Sequence, residues 1–232
     1  MKKLVVFDLG ETLMFYKGLA LDWSEHYSNA ITAASRACSI DIGKNEIERA
    51  SSVLLKYNTR RNPRVKEISS QIIFGEILYE INADQKYLTD FTTGFFKYFQ
   101  RKTVPEDTAV ELLKFLKSRN IFIAVLTDVP YGMPNELVEV DIKPFENLID
   151  SVVTSVDAGY RKPSTQGLAK ILEKFNCDSA DAILVGNEKK DIETAKGLGV
   201  FNVLLCPSGE IPPLNQDATI SKLSELKNFI DK

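Results

Sequence analysis

The sequence predicts a doubly wound, parallel α/β sheet interrupted by an inserted helical bundle. Three observations predict it. Short apolar runs rich in β-formers recur at residues 3–7, 121–126, 152–154, 182–185 and 202–205. Amphipathic helical stripes fill the gaps between these runs in the second half. No strand pattern appears between residues 15 and 103, where polar breaks separate helix-like segments. Alternating strands and helices argue for right-handed crossovers around one sheet.

The elements follow in chain order. Residues 3–7 form a run without alternation, as expected of a strand covered on both faces. Within the insertion, candidate helices span residues 22–38, 44–58, 67–82 and 84–101. Their expected buried residues are Trp23, Ile31, Ile47, Leu54, Ile72, Phe74, Leu78, Phe91 and Phe95. Four such helices read as a small bundle. Pro63 breaks the insertion at its middle. Beyond it, Ala109, Leu112, Leu113 and Leu116 form one helical stripe, and Leu168, Ile171, Leu172 and Phe175 form another. A further helix is expected over residues 188–198, stopped by Gly199. Residues 206–213 read as a loop before a last strand and a helix carrying Leu223, Leu226 and Ile230. The expected domains are a core of residues 1–14 and 104–232 and a helical cap of residues 15–103.

Composition narrows the partners. The chain has 232 residues, 44% apolar and 26% charged, and a net charge of −3. That balance offers no electrostatic reason to expect nucleic acid or an anionic membrane as partner. Three cysteines, Cys38, Cys177 and Cys206, lack CxxC spacing, which fits a reduced, cytoplasmic location. Asp8 and Glu11 interrupt the first apolar run too early for a signal-peptide core. His26 is the sole histidine, which excludes multi-histidine metal sites.

Chemistry-bearing residues gather at strand ends. Asp8 ends the first run, and a carboxylate there is costly unless a cation pairs with it. Thr127 follows residues 121–126, and Asn187 follows residues 182–185. Lys162 lies in the loop after residues 152–154. In open parallel sheets ligands bind beyond the carboxyl ends of strands, so these groups face one edge. Singly, each has a bland reading: Asp8 as a turn residue, Thr127 as a strand residue, Lys162 as a solvated lysine, Asn187 as a helix cap. Their joint occurrence in this order favours a site.

Asp8-Leu9-Gly10-Glu11-Thr12, Thr127, Arg161-Lys162-Pro163 and Gly186-Asn187-Glu188-Lys189-Lys190-Asp191 resemble, in order, the four motifs of the haloacid dehalogenase-like (HAD) superfamily. The resemblance covers essentially the whole chain. It implies a Rossmann-like core with a helical cap between motifs one and two. It further implies a hydrolase, most often a Mg²⁺-dependent phosphatase working through an aspartyl-phosphate on a small phosphorylated metabolite. Asp8 would be the nucleophile, with Thr127, Lys162 and the backbone of Leu9 and Gly10 holding phosphate. Asp8, the Gly10 carbonyl and Asp191 would hold Mg²⁺, joined by Asn187 or Glu188. Lys162 and Mg²⁺ would offset repulsion between Asp8 and the phosphate and keep Asp8 ionised.

Two positions depart from the phosphatase pattern. Gly10 stands where a second aspartate normally protonates the leaving group, help worth about 10²–10⁴-fold in rate. Asn187 stands where an aspartate is common. Four outcomes stay open: a phosphatase using another acid or a good leaving group, a weak or inactive phospho-ligand binder, a phosphonate-cleaving enzyme, and a haloacid-type hydrolase. The phosphonate reading needs a reactive cap lysine, with Lys17 and Lys56 as candidates. Arg60, Arg61 and Arg64 around Pro63 read as a solvated turn or as a clamp for a second anionic group.

Overall fold

Apolar runs buried on both faces become the central strands of one parallel sheet. The computed structural model describes residues 2–209 and 214–231, so residues 210–213 of the expected loop lie outside it. In chain order, β1 (Leu4–Phe7) leads to a short β2 (Met14–Tyr16) and four helices: α1 (Tyr27–Ala37), α2 (Lys44–Tyr57), α3 (Ser70–Glu80) and α4 (Leu88–Gln100). Then come β3 (Thr103–Pro105), α5 (Ala109–Ser118), β4 (Phe122–Thr127), α6 (Asn135–Ile142), β5 (Ser151–Thr154), α7 (Ser155–Ala158) and α8 (Gln166–Lys174). The chain continues through β6 (Ala182–Gly186), α9 (Lys189–Lys196), β7 (Phe201–Leu205) and β8 (Ala218–Ile220). A 3₁₀ segment, Leu223–Phe229, follows.

The main sheet runs β5-β4-β1-β6-β7-β8. Every pairing in it is parallel. Phe7 is in register with Val125 of β4 on one side and Val185 of β6 on the other. The order of strands therefore switches sides at β1, which is where an open sheet makes its ligand crevice. Leu168 and Ile171 of α8 pack with Leu4, Val6, Leu126 and Leu184, as their helical spacing predicts.

Two compact units emerge. One comprises Met1–Phe15, Val104–Asp128 and Ile142–Lys232, and contains the sheet. The other comprises Tyr16–Thr103 and Val129–Asp141. Residues 129–141 were expected in the core but cluster with the helices. Contacts explain the difference. Tyr131 bonds through its hydroxyl to Tyr27. The Leu137 carbonyl accepts from Gln100 at 2.6 Å, and the Asp141 carboxyl accepts from Tyr16 at 2.9 Å. Gly132 has φ +61, and a side chain there would meet the backbone of Ile68 and Ser70.

Inside the helical unit, aromatic rings make the core. Trp23 stacks on Phe99 with ring centres 3.8 Å apart. Phe95 meets Phe74, Phe96 and Phe99 edge to face, a favoured arrangement of ring quadrupoles. The expected first helix is divided, because Asp22 caps a 3₁₀ turn over Trp23–His26 before α1 begins. Of the expected core, Ile72 is instead 58% exposed. α3 turns Ile73, Phe74, Ile77 and Leu78 inward, and Ile72 lies off that face. Ile47 is half-buried. The turn around Pro63 is exposed, as the solvated-turn reading expects, and is also tied down: Arg61 pairs with Asp22 at 2.8 Å, and Arg64 donates to the Tyr57 carbonyl at 2.7 Å.

Three further differences from the sequence reading stand out. β2 pairs with β3 in a short ribbon at the two ends of the insertion, where no strand was expected. α6 was not foreseen. The final segment is 3₁₀ rather than α. Leu223, Leu226 and Phe229 are spaced by three, which suits a 3₁₀ turn as well as an α-helical stripe.

Candidate active site

Asp8 leaves β1 at its carboxyl end, held by its amide donating to the Val185 carbonyl at 2.8 Å. The chain then turns sharply, with the Leu9 carbonyl accepting from the amides of Thr12, Leu13 and Met14. Glu11 takes a positive φ of 56° within that turn. Gly10 has open space around it: beyond Gly10 itself and its two chain neighbours, no heavy atom lies within 4 Å of where a Cβ would sit.

Lys162 is the centre of the cluster. Its Nζ lies 2.5 Å from Asp8 Oδ1 and 2.6 Å from Asp191 Oδ1, and donates to the Leu126 carbonyl at 3.2 Å. All three charged groups are buried. Burying an unpaired charge is prohibitive, so the pairing makes each tolerable. Thr127 closes β4 and is buried one residue beyond Leu126. Asp191 Oδ2 accepts the Glu188 amide at 2.9 Å, and the Asp191 carboxyl packs where a side chain on Gly186 would go. Glycine is therefore required at 186, and this local reason lies behind the G-x-x-x-x-D spacing.

The other predicted residues take distinct places. The Asn187 side-chain oxygen accepts from Thr12 Oγ1 at 3.4 Å. Glu188 turns its carboxylate to Lys190 at 2.8 Å. Lys190 also reaches Asp128 Oδ2 at 3.1 Å, while Asp128 Oδ1 accepts the Lys162 amide at 2.9 Å. Sequence reasoning gave Thr12 and Lys190 no part. Lys190 sits inside the fourth motif, so its place between two acidic positions was the available signal. Thr12 carried no signal beyond its closeness to Asp8.

Electrostatics follow from burial and neighbours. Burial raises the Asp8 pKa to about 6, with the Asp191 charge adding to the rise and Lys162 opposing it. Burial would lower the Lys162 pKa, but Asp191, Asp8 and Asp128 together raise it. Burial also works against ionised Asp128, yet Lys162, Arg161 and Lys190 hold it below the ordinary aspartate range.

The donor set fits a small divalent cation. Among the described residues, no group of three or more His, Cys, Asp and Glu side chains is placed to hold a metal. Mg²⁺ needs fewer, because it is usually held by one or two carboxylates with water and substrate phosphate filling an octahedron. Asp8 and Asp191 both face the Lys162 ammonium, and buried Asp191 Oδ1 lies outside hydrogen-bond geometry despite its ion pair. A buried oxygen with a spare lone pair suits a cation.

The family model for haloacid dehalogenase-like hydrolases matches residues 2–199. The chain belongs to that family of hydrolases. A curated relative, ribulose-1,5-bisphosphate 5-phosphatase from Halopiger xanaduensis, is 26% identical over 114 residues, which cover 49% of this chain and 46% of that protein. The chain thus spans about half the length of that relative. A HAD phosphatase from Thermococcus onnurineus superposes with a TM-score of 0.67 at 19% identity, covering 98% of this chain and 97% of that one. A 2-haloacid dehalogenase from Pseudomonas syringae gives 0.69 at 18% identity, covering 100% and 99%. At these identities the structural likenesses establish the HAD α/β fold, which phosphatases and dehalogenases share. No helix among the described residues is long and apolar enough to cross a membrane.

Proposed function

We propose that this HAD hydrolase is a Mg²⁺-dependent, cytoplasmic phosphatase acting on a small phosphorylated metabolite through an aspartyl-phosphate on Asp8. The observation that carries the reading is the buried Asp8–Lys162–Asp191 cluster at the carboxyl edge of β1, β4 and β6. Asp8 attacks phosphorus with a carboxylate oxygen, the bond from phosphorus to the leaving oxygen breaks, and water later cleaves the acyl phosphate. Splitting the displacement in two lowers each barrier. Lys162 holds Asp8 in place and stabilises negative charge on the transferring group. Thr127 and the backbone around Leu9 and Gly10 orient the phosphoryl oxygens. Asp8, Asp191 and the Gly10 carbonyl would hold Mg²⁺, with Asn187 or Glu188 contributing through water. When bound, the ion neutralises phosphate charge and aligns it with the attacking oxygen.

Gly10 shapes the substrate range. Its position offers no proton to the departing oxygen, so substrates with stable leaving groups, such as acyl, enol or aryl phosphates, are favoured. The partial relative named as a phosphatase supports phosphate esters over carbon–halogen or phosphonate bonds. So does Lys56, whose hydrogen bond to Glu76 raises its pKa and suits it poorly to act as a nucleophilic amine. A weakly active phospho-ligand binder is the competing reading. Turnover of p-nitrophenyl phosphate with Mg²⁺, lost in Asp8→Asn, separates them: binding of inorganic phosphate without turnover would favour the binder. A panel of phosphorylated metabolites, with and without Mg²⁺, then identifies the substrate.

A further inference from the structure

The mechanism above uses Lys162 but gives Asp128 and Lys190 no task. Both are buried or half-buried beside the reacting groups. Asp128 follows Thr127 at the end of β4, and its side chain is 5% exposed. Its two oxygens serve two different segments. Oδ1 takes the backbone amide of Lys162 at 2.9 Å, and Oδ2 faces the ammonium of Lys190 at 3.1 Å. Lys190 stands in the first turn of α9, one residue before Asp191, and directs a second donor to Glu188 at 2.8 Å. One carboxylate thereby joins the end of β4, the loop carrying Lys162 and the helix carrying Asp191.

Lys190 is poorly suited to bind substrate itself. An ammonium has three donors, and two of them face Asp128 and Glu188. Its charge is balanced by carboxylates rather than offered to an incoming anion. Lys162, by contrast, reaches its partners across a long, flexible stem whose aim depends on where its backbone is fixed. The Asp128 carboxylate is what the Lys162 amide donates to.

The geometry points to Asp128 and Lys190 as a positioning pair: Asp128 fixes the Lys162 backbone, and Lys190 holds Asp128 turned toward it. The pair sets the ammonium of Lys162 onto Asp8 and Asp191. This inference rests on the phosphatase reading, in which Lys162 stabilises the transferring phosphoryl group. Groups that orient a reacting side chain typically matter by about 10–100-fold, and misplacement by about 1 Å costs on the order of 10²-fold.

The test uses the full-length protein, p-nitrophenyl phosphate and saturating Mg²⁺. Lys190→Met should lower kcat by about 10–100-fold with KM little changed, the mark of an interaction felt in the transition state. Lys190→Arg, which keeps the charge, should recover most of that loss. Asp128→Asn should lose a similar factor, and Asp128→Asn/Lys190→Met should be no worse than either single variant, because coupled residues are non-additive. Circular dichroism melts identify any variant that fails to fold; if Lys190→Met is one, Asp128→Asn carries the comparison against wild type, and an unchanged kcat there overturns the inference. An unchanged kcat in Lys190→Met would overturn the inference. So would a raised KM at constant kcat, which would make Lys190 a direct substrate contact, or losses that multiply in the double variant. If the wild type hydrolyses no phosphate ester, the phosphatase reading fails instead. A crystal structure of Lys190→Met then decides the pair on its own: Lys162 displaced from Asp8 supports it, and Lys162 in place overturns it.

Discussion

Asp128 in the α/β unit and Asp141 in the helical unit are both buried, yet their acidities move in opposite directions. Asp128 faces Lys162, Arg161 and Lys190, and their charges overcome burial to keep it ionised. Asp141 faces the hydroxyls of Tyr16 and Thr103 and the amide of Gln100, and burial outweighs those hydrogen bonds to raise its pKa. The same contrast runs through both units. Beside neutral groups such as Thr127, the sheet edge buries charged groups matched with opposite charge. Buried polar groups within the helices are chiefly neutral, such as the linked side chains of Tyr27, Tyr131 and Asn58. A protein tolerates matched buried charges at a cost that packed apolar groups avoid, so their concentration on one edge marks where chemistry happens.

The contrast implies that changes in the sheet unit strike turnover first, and changes in the helical unit strike stability first. The largest effect expected is from Asp8→Asn. Turnover of p-nitrophenyl phosphate should fall by roughly 10⁴-fold or more while the fold persists by circular dichroism. Residual activity near that of the wild type would remove Asp8 from the chemistry. Next, Phe95→Ala empties the centre of the ring cluster in the helical unit. It should cost about 3–5 kcal/mol in denaturant melts, and a loss below 1 kcal/mol would show that the rings repack freely.

Gly10→Asp asks whether the sheet unit lacks only an acid. The open space at Gly10 accommodates the side chain. Turnover of alkyl phosphates should rise relative to aryl phosphates, by up to ~10²-fold. A constant ratio would mean that another group already protonates the leaving oxygen. The smallest effect concerns Asp141. Its folded pKa is raised, so its contribution to stability is complete below the unfolded value of about 3.9. That contribution is lost as pH rises through the folded value. Asp141→Asn should remove this loss. Its melting temperature should gain on wild type as pH increases from 4 toward 7, and a gap independent of pH would refute the assignment.

Much of the sheet was legible because its strands are continuous apolar runs that nothing else explains as simply. The motifs were legible because the carboxyl ends of strands gather polar residues in a fixed order. What escaped the sequence was set by contacts between distant segments. β2 and β3 are three residues each; β2 has one buried and two half-buried positions and β3 one half-buried and two exposed, so neither shows an alternation. The assignment of residues 129–141 depends on Tyr131 meeting Tyr27 and on Gly132 meeting residues 68–70, which no local pattern encodes. Lys190 was given no role because its partner Asp128 lies 62 positions away in sequence. Ile72 misled because α3 is apolar nearly all round, leaving the inward face undefined.

The allocation of residues 129–141 has a practical corollary for anyone exchanging modules between relatives. The helical unit is not a single cassette: the polypeptide passes into it twice and out of it twice. A chimaera built by transplanting residues 16–103 alone would strand Tyr131 without its hydroxyl partner and set Gly132 against foreign backbone. Recombination breakpoints placed at all four passages would keep both fragments together.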